Sequence, residues 1–128
     1  MQLNFQKRLS PLHLYLCILL LSISCKKESD PEPLSVVGTW AGKYSTSIAT
    51  APNIVWDPII FKTGGSLAGS DRTGTYNVTG TVLTATYVRN GATFSFYCDI
   101  KENFTKLEGT WGTGASQSNG GLLLLTKQ

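Results

Sequence analysis

Thr81-Val-Leu-Thr-Ala-Thr-Tyr-Val88, Arg89-Asn-Gly-Ala92 and Thr93-Phe-Ser-Phe-Tyr-Cys-Asp-Ile100 form the stretch whose reading decides the fold. Asn90-Gly91 is the preferred pair for a two-residue type I′ turn, because both positions need positive φ. With that turn, Tyr87 faces Phe94, Ala85 faces Phe96 and Leu83 faces Cys98. All six residues then share one face, so turn chemistry and apolar alternation demand the same register. A one-residue slip would expose both phenylalanines and bury Ser95. The preceding run Gly74-Thr-Tyr-Asn-Val78 turns at Thr79-Gly80, which puts Tyr76 opposite Leu83 and adds a third strand.

Outward from this meander, short β-branched and aromatic runs alternate with Gly, Asn and Ser punctuation. Strands are expected near 36–44, 54–62, 66–70, 104–111 and 121–127, with a turn at Thr63-Gly-Gly-Ser66 and a flexible loop over 112–121. About eight short strands without helical periodicity predict an all-β fold, a small antiparallel up-and-down barrel. A β-sandwich is the alternative, but closure into a barrel removes the exposed edge strands.

The N-terminus has a different composition. Lys7-Arg8 precedes an apolar run, Leu12 to Leu21, that ends in small residues and Cys25, the build of a signal peptide over 1–24. The run is about half the ~20 residues a membrane-spanning helix needs. The ending resembles the lipobox of bacterial lipoproteins of the Bacteroidetes type, which implies that Cys25 is lipidated and becomes the new N-terminus. Ser22 stands where that motif usually carries leucine, and Ser22 and Ser24 also suit ordinary signal peptidase, which would leave Cys25 a plain thiol. Residues 25–34 are charged and proline-containing, a solvated tether that lacks the apolar content to fold. Lys26, Lys27, Glu28 and Asp30 resemble a surface-export signal of the same group, or serve as a solubilising spacer. The expected location is the outer membrane, lipid-anchored on its periplasmic or external side.

Removing the leader changes what chemistry is open to the rest. Eleven basic against eight acidic residues give +3, but Lys7 and Arg8 depart with the leader, leaving nine against eight. No basic cluster remains for nucleic acid. The only histidine, His13, also departs, which excludes His-dependent triads and His-based metal sites. Of the cysteines, Cys17 lies in the leader and Cys25 at its end, so Cys98 alone belongs to the domain at 35–128 and no internal disulfide is expected. Cys98 shares the inward alternation of Phe94 and Phe96, which makes it an apolar core residue. Packing alone must hold a domain of about 95 residues, which buries roughly 60–65% of its unfolded surface.

Gly38-Thr-Trp40 followed by Gly42, a central Gly74-Thr-Tyr76, then Leu107-Glu-Gly-Thr-Trp-Gly112 and the Leu122–Leu125 run resemble small lipocalin-like, or calycin-like, barrels. The resemblance implies that Trp40 seals one end of the barrel beneath a basic residue of the last strand, for which Lys127 is the candidate. It also implies a binding function. Trp40, Tyr44, Tyr87, Phe96 and Trp111 are the candidate ligand-binding residues, in an inward set that also holds Tyr76 and Phe94. Two fates are open to these rings, lining a pocket or filling the barrel, since eight strands enclose room for side chains or one small ligand. The second Gly-Thr-Trp, at 109–111, fits geometry better than duplication, because its flanks do not match the first.

The acids Asp57, Asp71, Asp99, Glu102 and Glu108 show no pairing for glycosidase-type chemistry and no calcium-loop spacing, so each is expected to be a solvated charge. Trp56, beside Asp57-Pro58, stands in a loop or strand end, either exposed for stacking on a partner or covering the edge of the core. Asn77 and Asn103 head glycosylation sequons that carry no meaning in a bacterial lipoprotein. The expected function is non-enzymatic: an anchored envelope protein that binds a small apolar or amphipathic ligand, with no catalytic residue, metal or cofactor. The alternative is a solid barrel acting as an interaction module, a subunit of a surface complex or an inhibitor, that meets a protein partner through 112–121 and the region of Trp56.

Overall fold

The computed structural model describes residues 33–128. The expected signal peptide at 1–24, Cys25, and the expected tether as far as residue 32 lie outside the described residues. Eight strands follow one another: β1 (Gly38–Tyr44), β2 (Ile54–Phe61), β3 (Ser66–Gly69), β4 (Arg72–Thr79), β5 (Val82–Arg89), β6 (Ala92–Lys101), β7 (Lys106–Thr113) and β8 (Gly121–Lys127). Each pairs antiparallel with the next, and β8 returns to β1, so the sheet closes into a barrel. The barrel expected from the sequence forms, and the sandwich does not. Closure leaves no unpaired edge among these strands, which suits a domain too small to cover one with a helix.

The β5–β6 hairpin has the register its turn predicts. Asn90 and Gly91 take φ of 51° and 78°, and Tyr87–Phe94, Ala85–Phe96 and Leu83–Cys98 are cross-strand partners. The β4–β5 pairing differs from expectation, because Tyr76 faces Ala85 while Val78 takes the place opposite Leu83. Gly80, at φ 61°, occupies the first position of a Gly80-Thr81 loop, so Thr79 stays in the ladder. This is the backbone requirement of a II′ turn. The shift is two residues, one full period of the strand, so Tyr76 keeps its inward face.

Strand limits also move by one or two residues, and two of these moves matter most. β4 starts at Arg72, two residues before the expected Gly74, which brings a charged side chain onto the inner face. β7 starts at Lys106 because Glu102, Asn103 and Phe104 all adopt positive φ and make the β6–β7 turn.

One irregularity decides between two sequence expectations. Between Trp40 and Gly42 of β1 a single residue, Ala41, faces two residues of β2, Asp57 and Pro58. This is a β-bulge, one of the few sheet positions that tolerates a proline. The extra residue changes the parity of β2, so Trp56 and Ile59 both point inward. Trp56 is therefore a buried residue, 5% exposed, and not a surface stacking platform. Its place is the second of the two weighed above, the edge of the core.

The interior is filled over most of its height. Trp40, Ile59, Phe61, Leu83, Phe96, Cys98, Leu107 and Leu125 are fully buried. Phe61 meets Trp40, Tyr76 and Phe96 in edge-on contacts with centroids 6.2, 4.8 and 6.4 Å away, a favoured aromatic geometry. Inward glycines allow the wall to close on this load: a Cβ built on Gly109 would overlap the Tyr97 carbonyl oxygen. The 33–37 lead-in crosses the Trp40 end, where Val36 is buried and its carbonyl accepts the Trp40 indole N–H at 2.7 Å. Lys127 pairs with Trp40 across β8–β1 and donates from Nζ to the Ser35 carbonyl at 2.8 Å. That end is shut.

The two Gly-Thr-Trp motifs serve opposite ends of the barrel. Trp111 donates its indole N–H to the Ser45 carbonyl at 2.8 Å, tying β7 to the β1–β2 loop. Ser45 is fully buried, with its hydroxyl bonded to the Ser47 carbonyl and the Leu122 N–H. The β7–β8 loop, expected to be flexible, carries its own bonds: Asn119 Oδ1 accepts the Thr113 N–H, and the Gly114 carbonyl accepts the Ser95 hydroxyl.

Candidate functional site

Opposite the sealed end, the barrel holds a cavity of about 340 Å³. Its walls are Tyr44 from β1, Val55, Trp56 and Asp57 from β2, Arg72 from β4, Tyr87 and Arg89 from β5, Phe94 from β6 and Trp111 from β7. The volume lies at the small end of the range for ligand pockets, which are typically lined, as here, by aromatic walls with a few placed polar groups. The rings support one another: Tyr44 meets Trp56 and Trp111 edge-on at 5.5 and 5.6 Å, and Tyr87 stacks on Phe94 at 5.4 Å. Phe96, fully buried, lies below them in contact with Trp56 and Tyr87.

The polar groups form a four-residue ion-pair network. Arg72 Nε donates to Asp71 Oδ1 at 3.1 Å and its Nη2 donates to Asp57 Oδ2 at 3.3 Å. Arg89 repeats the pattern, from Nε to Asp71 Oδ2 at 2.5 Å and from Nη2 to Asp57 Oδ2 at 3.5 Å. The Arg72 side chain is only 2% exposed. Its guanidinium lies 5.2 Å from the Trp56 ring centroid and 5.5 Å from that of Tyr87, within cation–π range of both. A buried arginine is tolerable only when paired and hydrogen-bonded, and two carboxylates and two aromatic faces meet that condition here.

Titration behaviour follows from these contacts. Partial desolvation pulls the Asp71 carboxyl upward, but the hydrogen bonds from Arg89 and Arg72 outweigh it and hold the group below the usual carboxylate range. The Arg89 guanidinium is raised, first by its bond to Asp71. Desolvation pushes the Tyr87 phenol up to about 12, so it stays a neutral donor. The Trp56 indole Nε1 is buried without any hydrogen-bond partner. A lone unsatisfied donor of this kind costs about 1–3 kcal/mol.

Of the ligand-binding residues expected from the sequence, Tyr44, Tyr87 and Trp111 come together on the cavity wall. Trp40 and Phe96 do not: Trp40 plugs the closed end and Phe96 fills the middle, both fully buried. Alternation shows which face a residue occupies but not its height in the barrel. Asp57 and Asp71, expected as solvated charges, are drawn together by the two arginines. Arg72 was outside the expected strand, although it shares the parity of Gly74, Tyr76 and Val78, so extending β4 by one period would have found it. Away from the cavity, Glu108 bonds Lys101 and Lys106 on the outer wall, and those bonds hold its carboxyl down at about 2. Burial raises the Cys98 thiol, consistent with an inert core residue. Among the described residues, no group of three potential ligands is placed to hold a metal ion.

The fold and site define a class: a closed, eight-stranded antiparallel β-barrel, solid at one end and cupped at the other. No protein-family model, curated protein or solved structure matches the chain.

Proposed function

We propose that this is a non-enzymatic envelope lipoprotein, anchored through Cys25, that binds one small amphipathic ligand in the cup at the open end of its barrel. The observation that carries the binding function is the aromatic cavity itself, about 340 Å³ in volume and bordered by a buried arginine. The fully buried side chains beneath it favour a compact occupant over a long acyl chain. The calycin resemblance of the Gly-Thr-Trp opening and the inward aromatic set point the same way. The leader and the Ser-Cys25 junction support the anchor.

Trp56 and Trp111 line the cup, so occupancy should change the intrinsic fluorescence of the chain. Titration with a panel of compact aromatic and aliphatic acids, alcohols and amines is expected to give saturable quenching by at least one class. A flat response to all of them at millimolar concentration would exclude the binding function. The anchor is tested separately by labelling cells with a palmitate analogue, where Cys25→Ala is expected to abolish incorporation.

A second function, an interaction module acting through its loops, is favoured by exposed apolar residues around the open rim. Ile48, Val55 and Val88 are 66%, 72% and 47% exposed. Affinity capture from envelope extracts, with and without substitution of Ile48 and Val88 by serine, separates this function from ligand binding, since neither residue lines the cup.

A further inference from the structure

From the donor and acceptor groups at the cup we infer that its ligand carries a carboxylate, bound by Arg72 and Arg89, on a compact flat body packed among the aromatic walls. This rests on the cup being a ligand site. The four charges sum to zero, so net charge does not choose the ligand; unused hydrogen-bonding capacity does. Asp71 already accepts with both oxygens, and Asp57 Oδ2 accepts from both arginines. The donors are less committed. A guanidinium presents five N–H groups in a planar fork, yet each arginine uses only Nε and Nη2, and neither Nη1 bonds any described residue.

The Arg72 guanidinium lies 5.2 Å from the Trp56 ring centroid and 5.5 Å from that of Tyr87, is tied to Asp57 and Asp71, and borders the cavity from an otherwise buried position. The edge it leaves unpaired is therefore rigid and partly desolvated, a setting that strengthens a charge-assisted bond to an oxygen anion. Trp56 Nε1 adds a second buried donor without a partner in the same wall. Of the four carboxylate oxygens only Asp57 Oδ1 carries no bond, and an ammonium ligand would approach it against two guanidinium groups. The ligand body is limited by space. Phe96, Leu83 and Cys98 are fully buried below the cup, leaving no channel for a chain, while Tyr44, Phe94 and Trp111 offer flat surfaces.

Isothermal titration of the purified chain with three probes of one shape tests this: 2-naphthoate, naphthalene-2-methanol and 2-naphthylmethylammonium, all at pH 7. The carboxylate is expected to bind about tenfold or more tighter than the alcohol, in keeping with a charge-assisted bond. Arg89→Gln, at a half-exposed side chain, is expected to remove most of the carboxylate's preference over the alcohol. Arg72→Lys, which keeps the buried charge but loses the planar fork, should act in the same direction, a cooperative thermal melt showing that the barrel still folds. Equal binding of acid and alcohol would overturn the carboxylate while leaving the cup a ligand site. Preference for the ammonium would overturn it in favour of Asp57. Failure of all three probes would remove both the carboxylate and the cup.

Discussion

Trp40 and Trp56 sit at the two ends of one barrel and have opposite fates. Trp40 is fully buried, its N–H bonded to the Val36 carbonyl, beneath a lead-in segment that Lys127 ties down. Trp56 is nearly as buried, but its N–H has no partner and its ring borders an empty volume beside a buried arginine. The closed end satisfies each polar group it buries; the open end leaves donors without partners. Satisfied polar groups specify a fold, whereas unsatisfied ones cost stability unless something else supplies the partner. The difference between the ends is the reason to place binding at one and stability at the other.

The largest test of this contrast is Trp40→Ala. Removing a large, fully buried ring without space to relax is expected to cost about 3–5 kcal/mol, read from urea unfolding of the chain. A cost near zero would mean that the closed end is not the anchor of the fold.

At the open end, Arg72→Met keeps most of the side-chain volume but leaves Asp57 and Asp71 with Arg89 alone. A fully buried pair broken this way costs about 3–5 kcal/mol. Because Asp57 is half exposed, the expected cost is lower, about 2 kcal/mol. A gain in stability would mean that the network is retained for binding at the expense of the fold, which sharpens the contrast.

Smaller still is the difference between two matched substitutions. Trp40→Phe deletes a made hydrogen bond and orphans the Val36 carbonyl, whereas Trp56→Phe deletes a donor that had no partner. The first is expected to be more destabilising by about 1 kcal/mol. Equal costs from thermal or urea melts would make the two ends equivalent and break the comparison.

The smallest effect lies outside both ends. The Glu108 carboxyl is held at about 2 by bonds from Lys101 and Lys106. A carboxylate with a depressed folded-state value stabilises the fold above its unfolded value, near 4.5, and loses that contribution as pH falls toward 2. Asp71 shifts in the same direction. Wild-type stability should therefore decline from about pH 4.5 downward. Glu108→Gln is expected to flatten part of that acid limb in urea melts, lowering stability at pH 7 and converging on the wild type as pH falls toward 2.

Legibility from sequence differed between the same two regions. The β5–β6 hairpin was readable to the residue because Asn90-Gly91 sets its register locally and six side chains agree with it. Tyr76 was placed opposite the wrong partner but on the right face, since an error of two residues preserves parity. For Trp56 the sequence left two places open, exposed or at the edge of the core, because a one-residue bulge at Asp57-Pro58 reverses the face of everything before it on β2. Pro58 was the available hint, as a proline inside a run of strand residues marks an edge or a bulge. Arg72 went unseen because a charge at the start of a strand ordinarily points to solvent. Only closure of the barrel brings two aspartates and two aromatic faces around it.

By itself, the sequence determined the all-β class, the strand order, the inward aromatic set and the central register. These follow from turn chemistry and a period of two, which act over a few residues. It also determined that the histidine-free part of the chain after residue 24 lacks a histidine-based catalytic or metal site. The tertiary structure alone decided which inward rings plug the barrel and which line a cup, and that Arg72, Arg89, Asp57 and Asp71 meet at its mouth. Height along a barrel depends on the stagger of all eight strands at closure, a property of the whole sheet that no local pattern encodes.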